Sequence, residues 1–299
     1  MRTDVGRRQS VGVSMRICQG QPDWSVWAWS DPTKVVYGPV PSRRLGASLG
    51  VNFFPHGKIC SFKCAYCDLD VYNDSSNRFS LVSTHELERE LSKNLKDYRA
   101  SGRSFPDSIT FAGNGEPTLH PGFAELVRCV RLFRDENMPN VPLNLFTNGL
   151  HLNKPGMPEA LSAFRRIFLK LDGSSQVMLE TLNGSGAWRG TNRAVGLARE
   201  LHNTAASTMV VTGGIDNTKD IASSTYACMV NLMNPLEVYL YTLDYPTKHS
   251  GIEPVSQKTL LELAETLSGR VFSPIIVLWR EYRHPTITAP GKELDVAFA

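Results

Sequence analysis

No stretch of this 299-residue chain is apolar for long enough to cross a membrane. The most strongly apolar run, residues 274–279, falls far short of the ~20 residues that a spanning helix needs. Arg2, Arg7 and Arg8 lie near the start, but no continuous apolar segment follows them, so the pattern of a secretory signal is missing. The expected location is therefore the cytoplasm, with no membrane partner. Neither sign of charge dominates: 32 basic against 29 acidic residues leave a net charge of +3. That balance is too mild to argue for nucleic acid without basic residues gathered on one face. Solenoid-length repeats and low-complexity tracts are also missing, which excludes an array architecture. Cysteine is scarce outside one place: of six, three fall between residues 60 and 67. A disulfide framework spreads its cysteines and belongs to small secreted chains. Clustering of this kind favours metal ligation in a reducing compartment.

What is present has a rhythm. Residues 1–34, rich in Ser, Gly and Gln and carrying Trp24, Trp27 and Trp29, sustain no period and are read as an extension of unknown order. From residue 35 to about 270, strand-like runs (48–54, 107–112, 142–147, 166–171, 208–212, 236–242) alternate with helical patterns. The helix at 84–98 starts from Ser83 or Thr84 as N-cap and repeats Leu87, Leu91 and Leu95 at four-residue spacing. Others are expected at 122–133, 193–201 and 257–267. Alternating βα units of this size imply a parallel sheet with helices outside it. Six units suit either a partial β/α barrel or an open doubly wound sheet. Both put functional residues beyond the carboxyl ends of the strands. Residues 271–299 are read as a seventh strand and a tail with Pro285 and Pro290.

The run Cys60-Ser-Phe-Lys-Cys64-Ala-Tyr-Cys67 follows the first of these strands. Three thiolates on one tight loop suit a cubane iron–sulfur cluster, which normally takes four. A set of only three leaves one iron open to bind and activate a small molecule, the logic that separates catalytic from structural metal sites. Spacing alone leaves a second reading equally open: His56, four residues upstream, would complete a Cys3His structural zinc site. Cys18, Cys129 and Cys228 are isolated, and the last two are expected to be ordinary core residues.

The second strand runs into Phe111-Ala-Gly113-Asn114-Gly115-Glu116-Pro117. Glycines allow backbone to approach a ligand closely, and a Glu in such a turn offers an anionic acceptor to a cation. A plain βα turn is the bland account of the same glycines. Taken together, a CxxxCxxC loop with aromatic Tyr66 before its third cysteine, followed by this turn on the next strand, resembles the radical SAM superfamily. The resemblance implies an α/β fold built as a partial (β/α)6 TIM-like barrel of parallel strands with helices outside. It implies a [4Fe–4S] cluster on Cys60, Cys64 and Cys67, with S-adenosyl-L-methionine (SAM) chelated at the open iron. Reductive cleavage of SAM would yield methionine and a 5′-deoxyadenosyl radical that abstracts hydrogen. It places Gly113, Asn114, Gly115 and Glu116 at the methionine moiety and the backbone near Tyr66 against adenine. It also implies a flavodoxin or ferredoxin as reductant. Thr147-Asn148-Gly and Lys170-Leu-Asp172-Gly, at the next two strand ends, are candidates for ribose, carboxylate or substrate, although Asn-Gly and Asp-Gly are also simple turn signals. No residue is assigned to the chemical step itself.

Tyr37-Gly-Pro-Val-Pro-Ser-Arg-Arg-Leu-Gly46 and the segment 236–245 resemble the branch grouped with wyosine-type tRNA-modifying enzymes, implying a tRNA substrate. Arg43 and Arg44 offer rigid donor forks for a phosphate or carboxylate, or serve as ordinary charged partners. The chain departs from that branch in one respect. Members that build the tricyclic base carry a second cysteine triad upstream, where this sequence has only Cys18. A glycyl-radical-activating enzyme, with the same cysteine spacing, and a zinc-stabilised binding module are the alternatives.

Overall fold

The computed structural model describes residues 12–17, 33–67, 69, 81–102, 104–244, 247 and 251–279. Cys18, the three N-terminal tryptophans and the tail beyond Trp279 lie outside the described residues. In chain order the strands are β1 (Val13–Ile17), β2 (Val36–Ser42), β3 (Gly46–Val51), β4 (Ser108–Phe111), β5 (Leu143–Thr147), β6 (Arg166–Lys170), β7 (Thr204–Met209), β8 (Val211–Gly213), β9 (Val238–Tyr241), β10 (Ile252–Pro254) and β11 (Ile275–Trp279). Nine form one sheet in the order β1-β11-β9-β7-β6-β5-β4-β3-β2. Every pairing in it is parallel except that of β2 with β3. β8 and β10 make a separate antiparallel ribbon. The helices are α1 (Thr84–Ser101), α2 (Phe123–Asn137), α3 (Met157–Ser162), α4 (Gln176–Asn183), α5 (Ala187–Ala198), α6 (Thr218–Ile221), α7 (Ser224–Met233) and α8 (Gln257–Ser268).

Strand alternation sorts the interior into two layers. In β9, Val238 and Leu240 join the main core under the helices, while Tyr239 and Tyr241 face a second cluster. β11 repeats this with Ile275 and Val277 against Ile276 and Leu278, and β6 with Ile167 and Leu169 against Phe168. The second cluster is the concave face of the sheet. Arg43, in the turn between β2 and β3, donates from Nη1 to Thr242 O at 2.7 Å just beyond β9. β9 lies five places from β3 along the sheet, so the sheet curls into a partial barrel and this turn crosses its lumen.

Local chemistry accounts for the elements. Ser83 caps α1 by accepting from Glu86 N, Gly102 closes it in the left-handed conformation (φ 64°), and Leu87, Leu91, Leu95 and Tyr98 are buried. Three regions differ from expectation. The fifth unit lies earlier than expected: the strand runs over 204–209 rather than 208–212, and its helix over 187–198 rather than 193–201. β7 reads Thr-Ala-Ala-Ser-Thr-Met and is buried throughout, so small residues fill it and the bulky pattern that signals a strand begins only at Val210. Residues 36–42, expected only as a motif, form β2. Pro39 and Pro41 obscure it in the sequence, yet proline is tolerated on an edge strand. Val13–Ile17, within a segment that showed no sustained period, pairs with β11. Cys129 is buried as expected, but Cys228 is exposed, because it falls on the outer side of α7.

Candidate active site

The loop after β3 is held against the loop after β4 by main-chain bonds. Ile59 N donates to Asn114 O at 3.1 Å and Glu116 N to Ile59 O at 2.8 Å, a parallel bridge between Ile59 and Gly115. Gly115 has φ 130°, and a Cβ there would collide with the Ile59 carbonyl; only glycine lets the loops meet. Asn52, just past β3, accepts on Oδ1 from Phe54 N and Asn114 N, both at 3.0 Å. Asn114 Nδ2 in turn reaches Phe54 O at 3.0 Å. A Cβ on Gly113 would strike the Asn52 side chain. The far side of the cysteine loop rests on the end of α4, with Lys63 N to Asn183 O and Ala65 N to Leu182 O, both 2.8 Å. Phe62 anchors it from below, packed with Leu179 and Ala187 beside Cys60 and Cys64.

Cys60, Cys64 and Cys67 are free and half-buried on this loop. Burial pushes the Cys60 thiol up to about 12, and burial together with the Asp172 carboxylate raises Cys64. Both shifts favour the thiol form until a metal takes the place of the protons. Cys64 Sγ accepts from Asn183 Nδ2 at 3.2 Å. Among the described residues no three His, Cys, Asp or Glu side chains close around one metal ion. His56 is exposed and does not complete a zinc tetrahedron with the cysteines. A four-iron cluster needs no such closure, since each thiolate takes its own iron.

Glu116 is buried and ties two strand ends together. Its Oε1 accepts from Thr118 N at 3.1 Å, Thr118 Oγ1 at 2.5 Å and Thr147 Oγ1 at 2.6 Å; Oε2 accepts from Asn148 N at 2.7 Å. Burial raises its pKa, and these four bonds pull the other way without cancelling it. Asn148 then reaches the cysteine loop, donating from Nδ2 to Ser61 Oγ at 2.9 Å. Gly113, Asn114, Gly115, Glu116, Thr147 and Asn148 thus form one cradle beside Cys60.

Tyr66, Lys170 and Asp172 belong to a second cluster. Asp172 accepts from the Tyr66 hydroxyl, from Asn183 Nδ2 at 2.9 Å and from Met209 N at 2.9 Å, and Lys170 Nζ lies 3.0 Å away. Lys170 Nζ also donates to the Tyr241 hydroxyl at 2.8 Å and sits 4.7 Å from the Tyr66 ring centre. Burial alone would lower the Lys170 pKa, but Asp172 overrides it and the ammonium is held above its usual range. Burial likewise opposes ionisation of Tyr241, yet Lys170 and Arg44 outweigh it and leave the phenol below the ordinary tyrosine range. Asn183, Tyr241 and Ser61 were not singled out as site residues in the sequence. Asn183 ends α4, a helix of eight residues too short for its period to stand out, whereas the Tyr-Leu-Tyr alternation of β9 was a readable sign of a polar lumen.

A partial barrel of parallel strands thus carries a three-cysteine loop and a glycine-rich carboxylate loop docked at adjacent carboxyl ends, the kind of donor set that a metallocofactor enzyme requires. The particular family follows from comparison: the radical SAM superfamily model matches residues 54–224, and the chain belongs to that superfamily. It is an enzyme whose cofactors are a [4Fe–4S] cluster and SAM. The donor set fits them: three soft thiol ligands on one loop, next to a buried carboxylate cradle with close backbone approach. Among curated relatives, a protein of Brachyspira hyodysenteriae named GTPase Obg is 35% identical over 143 residues, 48% of this chain and 20% of that one. A UPF0026 protein of Synechocystis is 28% identical over 264 residues, 80% of this chain and 94% of its own length. A UPF0026 protein of Helicobacter pylori is matched over 42% of its length, so this chain spans well under two thirds of the first relatives. Two solved structures share the fold: TYW1 with a lysine–pyruvate adduct bound (TM-score 0.55, 15% identity, 75% of this chain and 74% of that one), and Streptococcus suis SuiB bound to S-adenosylmethionine (0.56, 13%, 78% and 50%). No helix among the described residues is long and apolar enough to cross a membrane.

Proposed function

We propose that Cys60, Cys64 and Cys67 hold the cluster and that the chain uses SAM to abstract hydrogen from a tRNA substrate presented at the lumen. The observation that carries this reading is the Ile59–Gly115 bridge, which fixes the cysteine loop and the Glu116 loop side by side. Held by the three cysteines, a reduced cluster would supply the electron for reductive cleavage of SAM. The chain's own residues orient and enclose. Glu116 Oε1 is filled by three donors, while Oε2 has one, so Oε2 receives the methionine ammonium as a charge-assisted bond. Thr147 and Asn148 hold that carboxylate in place. Gly113, Asn114 and Gly115 form the cradle floor, and Tyr66 presents its backbone to adenine. Asp172 fixes Tyr66 and Lys170 at the inner wall.

The tRNA assignment rests on the Tyr37–Gly46 segment, which resembles the tRNA-modifying branch. Residues 35–270 make the catalytic barrel, with the segments 1–34 and 271–299 contributing β1 and β11 at its edge. A flavodoxin or ferredoxin in the cytoplasm delivers the electron. Anaerobic incubation of reconstituted protein with dithionite and SAM tests the reading by chromatography of 5′-deoxyadenosine. Formation by the wild type, its loss in Cys64→Ala and its increase on adding tRNA are expected. Cleavage that tRNA leaves unchanged removes the tRNA assignment, and no cleavage at all removes the reaction.

A further inference from the structure

Two arginines enter the lumen from the β2–β3 turn, and only one meets a carboxylate. Arg43 Nε lies 3.3 Å from Asp244, and Lys170 is matched by Asp172. Arg44 has no such partner among the described residues. Its Nη2 donates weakly to Ser207 Oγ at 3.4 Å, and its guanidinium faces four rings: Tyr241 at 4.0 Å, Phe146 at 5.4 Å, Phe168 at 5.7 Å and Tyr239 at 5.8 Å. Its Nε is buried and has no acceptor among the described residues. Burial draws Arg44 below the usual guanidinium range, but arginine keeps its proton in proteins. The lumen therefore holds a half-buried positive charge whose Nε–H is unused among the described residues. Ring faces recover part of the desolvation penalty, but a buried charge is ordinarily paired. The Nε side of a guanidinium is also an edge on which carboxylate and phosphate oxygens dock side-on.

We propose that Arg44 binds an oxyanion of the substrate, a carboxylate or a phosphate, inside the lumen between the Tyr241 face and Ser207. The adjacent arginines thus divide their work: Arg43 pins the turn to β9, and Arg44 receives the ligand. The inference rests on the enzymatic reading only in assigning the anion to substrate.

The reconstituted protein is titrated calorimetrically with inorganic phosphate and, separately, with acetate at constant ionic strength. Saturable binding of phosphate points to a nucleotide-like group, and binding of acetate to a carboxylate. Arg44→Gln is expected to weaken that binding by roughly tenfold or more, the scale of a lost charged hydrogen bond. Arg128→Gln, on the exposed side of α2, serves as a charge-matched control and leaves binding unchanged. Circular dichroism checks that Arg44→Gln folds; if it does not, Arg44→Lys, which keeps the charge without the fork, decides by the same loss. Absence of binding in the wild type, or equal binding in the Arg44 variant, overturns the proposal. SAM cleavage by the wild type is measured in parallel. Cleavage without anion binding removes only the Arg44 subsite, and anion binding without cleavage removes only the enzymatic reading.

Discussion

At Gly115 the positive φ and the facing Ile59 carbonyl leave no room for a side chain, and the obstacle is backbone that cannot swing away. Gly115→Ala is therefore expected to unseat the cysteine loop and lower the iron and sulfide bound after reconstitution to well under half of wild type, measured by elemental analysis. Iron content equal to wild type would mean that the bridge does not position the ligands. His120 offers a pH test. It is buried against Phe53 and Phe54, Nδ1 accepts from Gly122 N at 3.0 Å, and burial lowers its pKa. Below the unfolded value of about 6.5 the unfolded chain takes up a proton that the folded chain resists. Stability contributed by neutral His120 is thus present at pH 7.5 and is lost as pH falls through that range. Urea midpoints should fall from pH 7.5 to 5.5, and His120→Phe should flatten the profile. At this scale the sequence was informative where side-chain chemistry is peculiar. Cys60, Cys64, Cys67 and Glu116 stand out by type and spacing, but the uncompensated charge on Arg44 depends on which of two adjacent arginines meets Asp244, and only the fold decides that.

Helix α1 shows how local signals and packing share the stabilisation of an element. Ser83→Ala removes the cap bond to Glu86 N and is expected to destabilise by about 1 kcal/mol. Leu91→Ala, at a fully buried position, should cost about 2–5 kcal/mol. Denaturant unfolding that ranks the two in the opposite order would contradict the packing described here. α1 was legible because cap, period and core face agree. The same agreement fails at β7, whose buried Thr, Ala and Ser residues look like a loop until neighbouring strands cover them. It fails at β2 as well, where prolines suit an edge position that sequence alone does not reveal.

For the whole molecule, parallel order and helices outside were legible from the alternation of elements. Curling of the sheet was not, because it is expressed in contacts between the β2–β3 turn and β9, about two hundred residues apart. Surface and interior also divide the isolated cysteines. Cys228 is exposed and Cys129 buried, with burial and the Glu88 carboxylate pushing its thiol up to about 12. Brief alkylation of the folded protein followed by peptide mass spectrometry should label Cys228 and spare Cys129; equal labelling would contradict this packing. Three cysteines on one docked loop are proposed to hold a cluster with an open iron. The most direct measurement is electron paramagnetic resonance of the anaerobically reconstituted, reduced protein with and without SAM. A [4Fe–4S]⁺ signal that shifts when SAM is added and is lost in Cys64→Ala is the predicted result. A colourless protein that carries one zinc and is indifferent to SAM would contradict it.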